Sequence, residues 1–195
     1  MRNILLSVTL LFSLTLVAQR DSVSWYSAYV NGVYSETLEQ PLSVSYMVLC
    51  TKGDVSRKNM RFHTEKIIAT SDNADYVNNV WDKGHLAPAA DFKCDESAMR
   101  GTFTFLNCAL QHEKLNRGVW KYLEAHERDL SNSDDVSILI EVDFLDAPEK
   151  VPGGASIPFG FYKQITIGDK NECYWFPNKL PESNNFKDYE CPCRN

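Results

Sequence analysis

One stretch, residues 81–92 with the sequence WDKGHLAPAADF, constrains this chain more than any other. His85 follows a glycine and precedes a segment of small residues that contains a proline. Gly84 permits backbone conformations that a Cβ resists, and Pro88 fixes its own φ and ends regular hydrogen bonding. The stretch therefore predicts a rigid bend that holds an imidazole, exposed to water, at a surface cleft. A lone histidine is more often structural than catalytic, so the residues downstream decide between the two.

Polar side chains recur at regular intervals after the histidine. Asn116 follows Asn107 by nine residues, Glu124 comes eight residues later, and Arg128 comes four after that. Residues 116–130 form a predicted helix, on which Asn116, Glu124 and Arg128 share a drifting stripe beside a mainly apolar face. Such a helix can pack on a core and present polar groups to a site. An ordinary surface helix with an i,i+4 Glu124–Arg128 pair would show the same pattern.

Together the histidine stretch, the segment 102–111 and these spaced residues resemble the DNA/RNA non-specific endonucleases. This family belongs to the ββα-metal (His-Me finger) nucleases and is related to mitochondrial endonuclease G. The similarity runs roughly from Tyr46 to Ile167. It implies an α+β fold, in which a strand–loop–strand–helix site module packs against a mostly antiparallel central sheet.

The resemblance also implies how a site for phosphodiester hydrolysis is divided among these residues. His85 corresponds to the general base, and Asn107 to an asparagine that orients the histidine or the water. Asn116 corresponds to the direct metal ligand, and Glu124 to a carboxylate that holds metal-bound waters. Arg128 corresponds to a phosphate contact.

Other cations complete the implied site. The family places a phosphate-binding arginine before an aromatic residue, which makes Arg61, just before Phe62, the candidate and Arg57 the alternative. Lys83 stands where the family most often has arginine, and we expect it to contact substrate phosphate. A lysine keeps the charge but loses the planar bidentate fork of arginine. Asp82 has no evident chemical task beyond bracing the turn.

This set of groups suits phosphodiester cleavage. A neutral imidazole can take a proton from water near pH 7, and a divalent cation can offset the charge on the phosphate and on the leaving oxygen. Mg²⁺ prefers oxygen ligands and keeps several waters, so one amide oxygen can suffice as its direct protein ligand. We expect Mg²⁺, with Mn²⁺ or another divalent cation as alternatives. The resemblance implies DNA and RNA as substrates, cut with little sequence preference to 5′-phosphate products.

Hydrophobic patterning predicts several strands besides the site. These are residues 44–50, 102–106, 136–144, 161–167 and 173–176, with a turn at Asn31-Gly32. The chain shows no internal repeat and no domain boundary, so we expect a single nuclease domain over residues 19–195.

The first 18 residues are predicted to be a signal peptide. Arg2 is followed by an apolar run from Ile4 to Val17, and Ala18 is a small residue near a plausible cleavage point. The run is shorter than the roughly 20 residues of a membrane-spanning helix, so we expect no membrane anchor. These features predict a secreted or periplasmic protein.

A net charge of −6 is unusual for a protein that binds a polyanion. Residues 57–128 contain 11 Lys and Arg against 10 Asp and Glu, whereas residues 129–195 contain 6 against 12. The region of the motifs is therefore nearly neutral. Binding by counterion release would need a basic face, but an enzyme needs only a local pocket of cations and a metal ion.

Six cysteines in an exported chain predict disulfides, and they allow 15 connectivities. A metal or redox motif at Cys191-Pro192-Cys193 is the alternative for that pair, although its spacing is tight for zinc. We expect Cys108 to be a buried thiol. The rival functions are a non-catalytic nucleic-acid-binding or adhesion module and a disulfide-scaffolded interaction domain. Neither a protein partner nor an oligomeric state is predicted.

Overall fold

The computed structural model describes residues 21–194. Its strands are β1 (Ser22–Tyr26), β2 (Val30–Ser35), β3 (Gln40–Met47), β4 (Trp81–His85), β5 (Cys108–His112), β6 (Val136–Asp143), β7 (Gly160–Ile167) and β8 (Lys170–Pro177). Six of them form an antiparallel sheet in the order β1-β2-β3-β6-β7-β8, and β4 pairs with β5 in a separate hairpin. The predicted α+β architecture with a mostly antiparallel central sheet is confirmed.

The helices are few and short: α1 (Glu96–Gly101), α2 (Glu113–Leu115) and α3 (Lys121–Leu130). A π-helical segment, Asn116–Trp120, joins α2 to α3. The single regular helix predicted over residues 116–130 is therefore wrong in detail. Helical structure begins earlier, at Glu113, and is distorted at Gly118, whose φ of −106° and ψ of −117° lie outside the helical region. A glycine tolerates this backbone because it has no Cβ.

Alternation of apolar residues explains the central sheet. In β6, Val136, Ile138, Ile140 and Val142 are buried, while the residues between them are more exposed. The helical segment packs on this face through Trp120, whose ring lies 5.6 Å from those of Phe161 and Phe176. The helical segment from Glu113 to Leu130, which is called the site helix below, is thereby held on the core of the sheet. The strands predicted at 136–144, 161–167 and 173–176 are confirmed with small changes at their ends.

Two local predictions at the edges of the fold are wrong. Residues 102–106 do not form a strand, because Thr102 ends α1 and the Thr104 hydroxyl caps a short 3-10 turn, Phe105–Asn107. Asn31-Gly32 is not a turn but part of β2. A Cβ on Gly32 would lie 2.3 Å from the carbonyl oxygen of Ser43 in β3, so glycine is required there by close strand packing.

The bend predicted for the histidine stretch follows His85 rather than including it. Residues up to His85 are in β4, with His85 opposite Cys108 of β5. Gly84 lies inside this strand, where a Cβ would be 2.5 Å from the side-chain oxygen of Gln111. The glycine thus serves close packing rather than an unusual backbone angle. The chain turns away after Leu86, whose N–H donates to the carbonyl of Asn107.

Two disulfides tie loops to the sheet region. Cys50–Cys94 joins the segment after β3 to the approach to α1, and Cys173–Cys193 fastens the C-terminal segment to β8. Because Cys193 is bonded to Cys173, a site built on the thiolates of Cys191 and Cys193 is excluded. Cys108 is a buried free thiol, as predicted.

The signal-peptide prediction lies outside the described residues. Within residues 21–194, no helix is long and apolar enough to cross a membrane.

Candidate active site

Strand β4 divides its side chains between two faces. Successive residues of a strand point to opposite sides, so Lys83 and His85 share one face and Asp82 lies on the other. On the first face lies a cleft with aromatic walls, and on the second lies the helical segment that begins at Asn116. The hairpin therefore connects the predicted base to the predicted metal ligand.

His85 is held between two phenyl rings. Its ring centre lies 4.6 Å from that of Phe62 and 4.8 Å, edge-on, from that of Phe103. The ring is half-buried, and its Nε2 is buried without a hydrogen-bond partner among the described residues. The expected water-exposed imidazole is thus corrected to a partly enclosed one. Nε2 is closed off from water, which leaves Nδ1 as the nitrogen that can receive a proton from it.

The surroundings of His85 keep it neutral. Burial, and then the positive charge of Arg57, lower the pKa of the imidazole to about 3. Burial acts because a charged ring loses hydration, and Arg57 acts by repulsion. At neutral pH the ring is therefore uncharged and able to accept a proton.

A cavity of about 340 Å³ lies beside His85 and is lined with cations. Its walls are Arg57, Met60, Arg61, Phe62, Asn73, Lys83 and Phe103. The ammonium of Lys83 is bonded to the side-chain oxygen of Asn73 and lies 5.7 Å from the ring centres of Tyr76 and Phe105. The predicted substrate-binding residues Lys83 and Arg61 are thus brought together at one cleft.

Arg57 is the cation that acts on the base. Its guanidinium lies 5.9 Å from the ring centre of Phe103, the residue that packs edge-on against His85. Its charge is also the one that lowers the pKa of His85. Arg61 is exposed on the same cleft. Arg57 is thus the cation whose charge reaches His85, and Arg61 lines the same cleft.

The side chain of Asn116 is oriented by Asp82. Its Nδ2 donates to Asp82 Oδ2 across 2.8 Å, and Arg117 binds the same carboxylate through two bonds of 2.8 and 2.6 Å. Since the amide nitrogen is occupied, the Oδ1 of Asn116 points away from Asp82 and has no partner among the described residues. This gives Asp82 a task that the sequence did not reveal. The sequence signal for this task is the alternation of side chains along β4, which places Asp82 and His85 on opposite faces of the strand.

Asn107 is a structural clamp for the chain just after the base. It is fully buried, and its Oδ1 accepts from the N–H of Ala87 across 2.8 Å. Its Nδ2 donates to the carbonyls of Ala87 and Thr102, both at 2.9 Å. With its amide engaged in this way, Asn107 can orient His85 only through the backbone. The expected contact with the attacking water is corrected on this ground, and Asn107 precedes β5 rather than following a strand.

Glu124 and Arg128 lie on the next turns of the site helix, as the spacing predicted. Burial raises the pKa of Glu124 to about 7, Lys163 and Arg128 oppose the rise, and Glu127 adds to it. Arg128 Nη1 lies 3.0 Å from Oδ1 of the buried Asp91. Arg128 is therefore anchored by a carboxylate, and only its remaining N–H groups are free for phosphate.

Three buried charged residues behind this stripe were not predicted as part of the site: Asp91, Glu127 and Lys163. Burial, followed by the charge of Glu127, raises the pKa of Asp91 to about 8, against the effect of Arg128. Asp91 lies in the histidine stretch itself, and Lys163 occupies an inward position of a strand. Both were visible in the sequence, but only the fold shows that they meet.

The donors present fit a hydrated divalent cation. Asn116 Oδ1 is an oriented oxygen without a partner among residues 21–194, and Glu124 is a carboxyl two helical turns further along the chain. Across residues 21–194, no group of three or more His, Cys, Asp or Glu could hold a metal ion directly. An ion held here would keep most of its waters, as Mg²⁺ commonly does.

Comparison with known proteins shows the family to which the chain belongs. The profile of the DNA/RNA non-specific endonuclease family matches residues 11–195. The mitochondrial nuclease EXOG of Danio rerio is 34% identical over 110 residues, which cover 53% of this chain and 32% of that protein. Mitochondrial endonuclease G of Bos taurus is 35% identical over 85 residues, which cover 42% and 28%. The alignments therefore span about a third of these relatives' own length.

A fungal relative and a solved structure extend the comparison. Nuclease C1 of Cunninghamella echinulata var. echinulata is 31% identical over 145 residues, covering 65% of this chain and 57% of that protein. The fold superimposes on a crystal structure of the EndoG/EndoGI complex with a TM-score of 0.77 at 22% identity, over 87% of this chain and 80% of that one. With the family profile matching most of its length, this chain belongs to the DNA/RNA non-specific endonuclease family.

Proposed function

We propose that this protein is a divalent-metal-dependent endonuclease that hydrolyses DNA and RNA with little sequence preference. The observation that carries the proposal is the pairing of a neutral, half-buried His85 with an oriented Asn116 across the β4 hairpin. Family membership and the nuclease names of its relatives support the same activity.

His85 is proposed as the general base. Nδ1 takes a proton from the attacking water, while the proton on Nε2 stays in the buried pocket between Phe62 and Phe103. A pKa of about 3 makes the free imidazole a weak base. An anionic phosphate in the cleft would raise that pKa, because it stabilises the imidazolium and offsets the charge of Arg57.

Phosphate binding is proposed for the cations of the cleft. Arg57, Arg61 and Lys83 all line the cavity beside His85. These groups address phosphate oxygens, which carry no sequence information directly, so poor base selectivity follows.

Asn116 is proposed to hold Mg²⁺ or a similar divalent cation through Oδ1, with Glu124 holding waters of its hydration shell. When bound, the cation supplies positive charge to the scissile phosphate and to the departing 3′ oxygen. Asp82 keeps the amide of Asn116 turned so that oxygen, not nitrogen, faces the ion. Products carrying 5′-phosphate groups are part of the proposal.

Export from the cytoplasm is also proposed, on the basis of the apolar N-terminal run and the two disulfides. Disulfides persist in oxidising compartments and are rare in reducing ones.

The decisive experiment is cleavage of supercoiled plasmid and of a folded RNA, with Mg²⁺, with Mn²⁺ and with EDTA. We expect cleavage that needs a divalent cation and falls by about 100-fold or more in His85→Ala, which circular dichroism should show to be folded. His63→Ala, at a ring that is about half exposed, is the matched control. Binding of nucleic acid without cleavage by the wild type would instead support the non-catalytic module.

A further inference from the structure

A lysine lies in the hydrophobic core beneath the site helix. Lys163, in the middle of β7, is fully buried opposite Ile140 of β6 and between Phe161 and Ile165 on the same face of the strand. A buried ammonium without a partner costs several kcal/mol in lost hydration. A lysine buried in this way is therefore expected to have an anionic partner close to its ammonium group.

That anion belongs to the site helix. Lys163 Nζ lies 2.6 Å from Oε1 of Glu127, which is also fully buried, and 4.4 Å from the ring centre of Trp120. The other oxygen of Glu127 accepts from the hydroxyl of Tyr46 in β3, across 3.2 Å. Tyr46 of β3 and Lys163 of β7 thus contact the same residue, Glu127, of the helical segment.

The two helix residues that touch Lys163 flank Glu124. Trp120 precedes Glu124 by four positions and Glu127 follows it by three, and residues at these spacings are neighbours on one side of a helix. The ammonium therefore lies next to the turn that carries the Glu124 carboxyl. Of the charges that lower the pKa of Glu124, that of Lys163 has the largest effect.

We propose that Lys163 is a positioning residue of the active site. Through its contacts with Glu127 and Trp120, it fixes the turn of α3 that presents Glu124 and supplies a buried positive charge that favours the carboxylate form of Glu124. Only the task of Glu124 in catalysis rests on the proposed function.

The charge balance of the cluster supports this assignment. Three carboxyl groups, Asp91, Glu124 and Glu127, meet two cations, Lys163 and Arg128. Arg128 is already bound to Asp91. Without Lys163, Glu124 and Glu127 would be two neighbouring carboxylates in a buried site with no cation of their own.

The test is a set of variants measured without metal or substrate. The titration of Glu124 is followed by carbon NMR of glutamate labelled at the carboxyl carbon, with the Glu124 signal assigned by its loss in Glu124→Gln. We expect Lys163→Met to raise the midpoint by about one pH unit, because an adjacent opposite charge is removed. We expect Glu127→Gln to lower it, because a like charge is removed.

A double variant protects the test against a folding defect. Lys163→Met leaves Glu127 buried without its cation, whereas Lys163→Met with Glu127→Gln leaves no unpaired charge and should fold. The Glu124 midpoint of the double variant should exceed that of Glu127→Gln by about half a unit or more. Coincident midpoints in the two proteins would overturn the proposal, whatever the single lysine variant does.

Plasmid cleavage by the same proteins then separates the two proposals. If the charge of Lys163 supports Glu124, the pH midpoint of the acid limb of kcat/KM should shift together with the NMR midpoint of Glu124. The Mg²⁺ concentration needed for half-maximal activity should rise as that midpoint rises. An acid limb that stays in place while the NMR midpoint moves would remove the catalytic part of the proposal. A wild type that never cleaves would refute the nuclease function, and the NMR result on Lys163 would still stand.

Discussion

The amide nitrogen of Asn116 donates to the carboxylate of Asp82 across 2.8 Å, and this bond joins the hairpin that carries His85 to the helical segment that carries Asn116. An amide can present either its oxygen or its nitrogen to a cation. The oxygen has lone pairs that can bind the cation, whereas the NH₂ group is a hydrogen-bond donor and cannot. Arg117 holds Asp82 in place through two hydrogen bonds, one of them to the same oxygen that accepts from Asn116. The orientation of Asn116 is therefore fixed by neighbours before any ion arrives.

Asp82→Ala should raise the Mg²⁺ concentration needed for half-maximal cleavage by about 10- to 100-fold, the usual effect of losing a group that orients a metal ligand. Arg117→Ala should have a smaller effect, because Asp82 keeps its bond to Asn116. The measurement is plasmid cleavage across an Mg²⁺ titration for both variants and the wild type. An unchanged half-saturation in Asp82→Ala would show that Asn116 orients itself.

Asn107→Ala is expected to damage the fold more than the chemistry. It removes the partners of three backbone groups, the N–H and C=O of Ala87 and the C=O of Thr102, each buried behind the histidine. Leaving such groups unsatisfied costs about 1–3 kcal/mol each, so the melting temperature should fall by about 6 °C or more.

Thermal unfolding of this variant, with the exposed Asn132→Ala as control, provides the measurement. A variant that melts like the wild type but has lost its activity would restore Asn107 as a residue that contacts the reacting water.

The candidate site could be located in the sequence through its resemblance to the nuclease family, whose spaced polar residues recur in this chain. His85, Asn116 and Glu124 are separated by distances that a hairpin and one helix impose, and strands such as β6 show their alternation directly. The tasks of Asp82 and Lys163 could not be predicted, because each depends on a partner brought from another element. The β1–β2 hairpin was missed since Gly32 resembles a turn residue, although close packing against β3 is what requires it.

Glu124 should set the acid limb of the activity at low metal concentration. Its pKa is raised to about 7, so below that pH the carboxyl is protonated and loses the charge that holds waters of the cation. His85, at about 3, remains neutral over the same range and contributes no limb there. We therefore expect kcat/KM at subsaturating Mg²⁺ to fall as the pH drops through about 7.

Saturating Mg²⁺ should move this limb to lower pH, because a nearby cation favours the ionised carboxylate. The measurement is kcat/KM between about pH 5 and 9 at low and at saturating Mg²⁺. A limb at the same pH in both series would assign it to a group that does not sense the metal.

Lys83 is where this chain differs from the arginine most common in its family, and its surroundings suggest two separable contributions. The ammonium is bonded to Asn73 and lies over the rings of Tyr76 and Phe105, while it also borders the cleft beside the base. If its charge binds phosphate, Lys83→Arg should keep or raise kcat/KM, and Lys83→Ala and Lys83→Gln should both lower it by about 10-fold, near 1.4 kcal/mol.

The salt dependence of cleavage gives a second measurement of the same contact. Losing one phosphate contact should flatten the dependence of kcat/KM on salt, because fewer counterions are released on binding. Lys170→Gln, at the exposed first residue of β8, is the matched loss of charge and should leave both quantities unchanged. If Lys83→Gln follows the wild type at every salt concentration, Lys83 acts only by packing against Asn73 and the two rings.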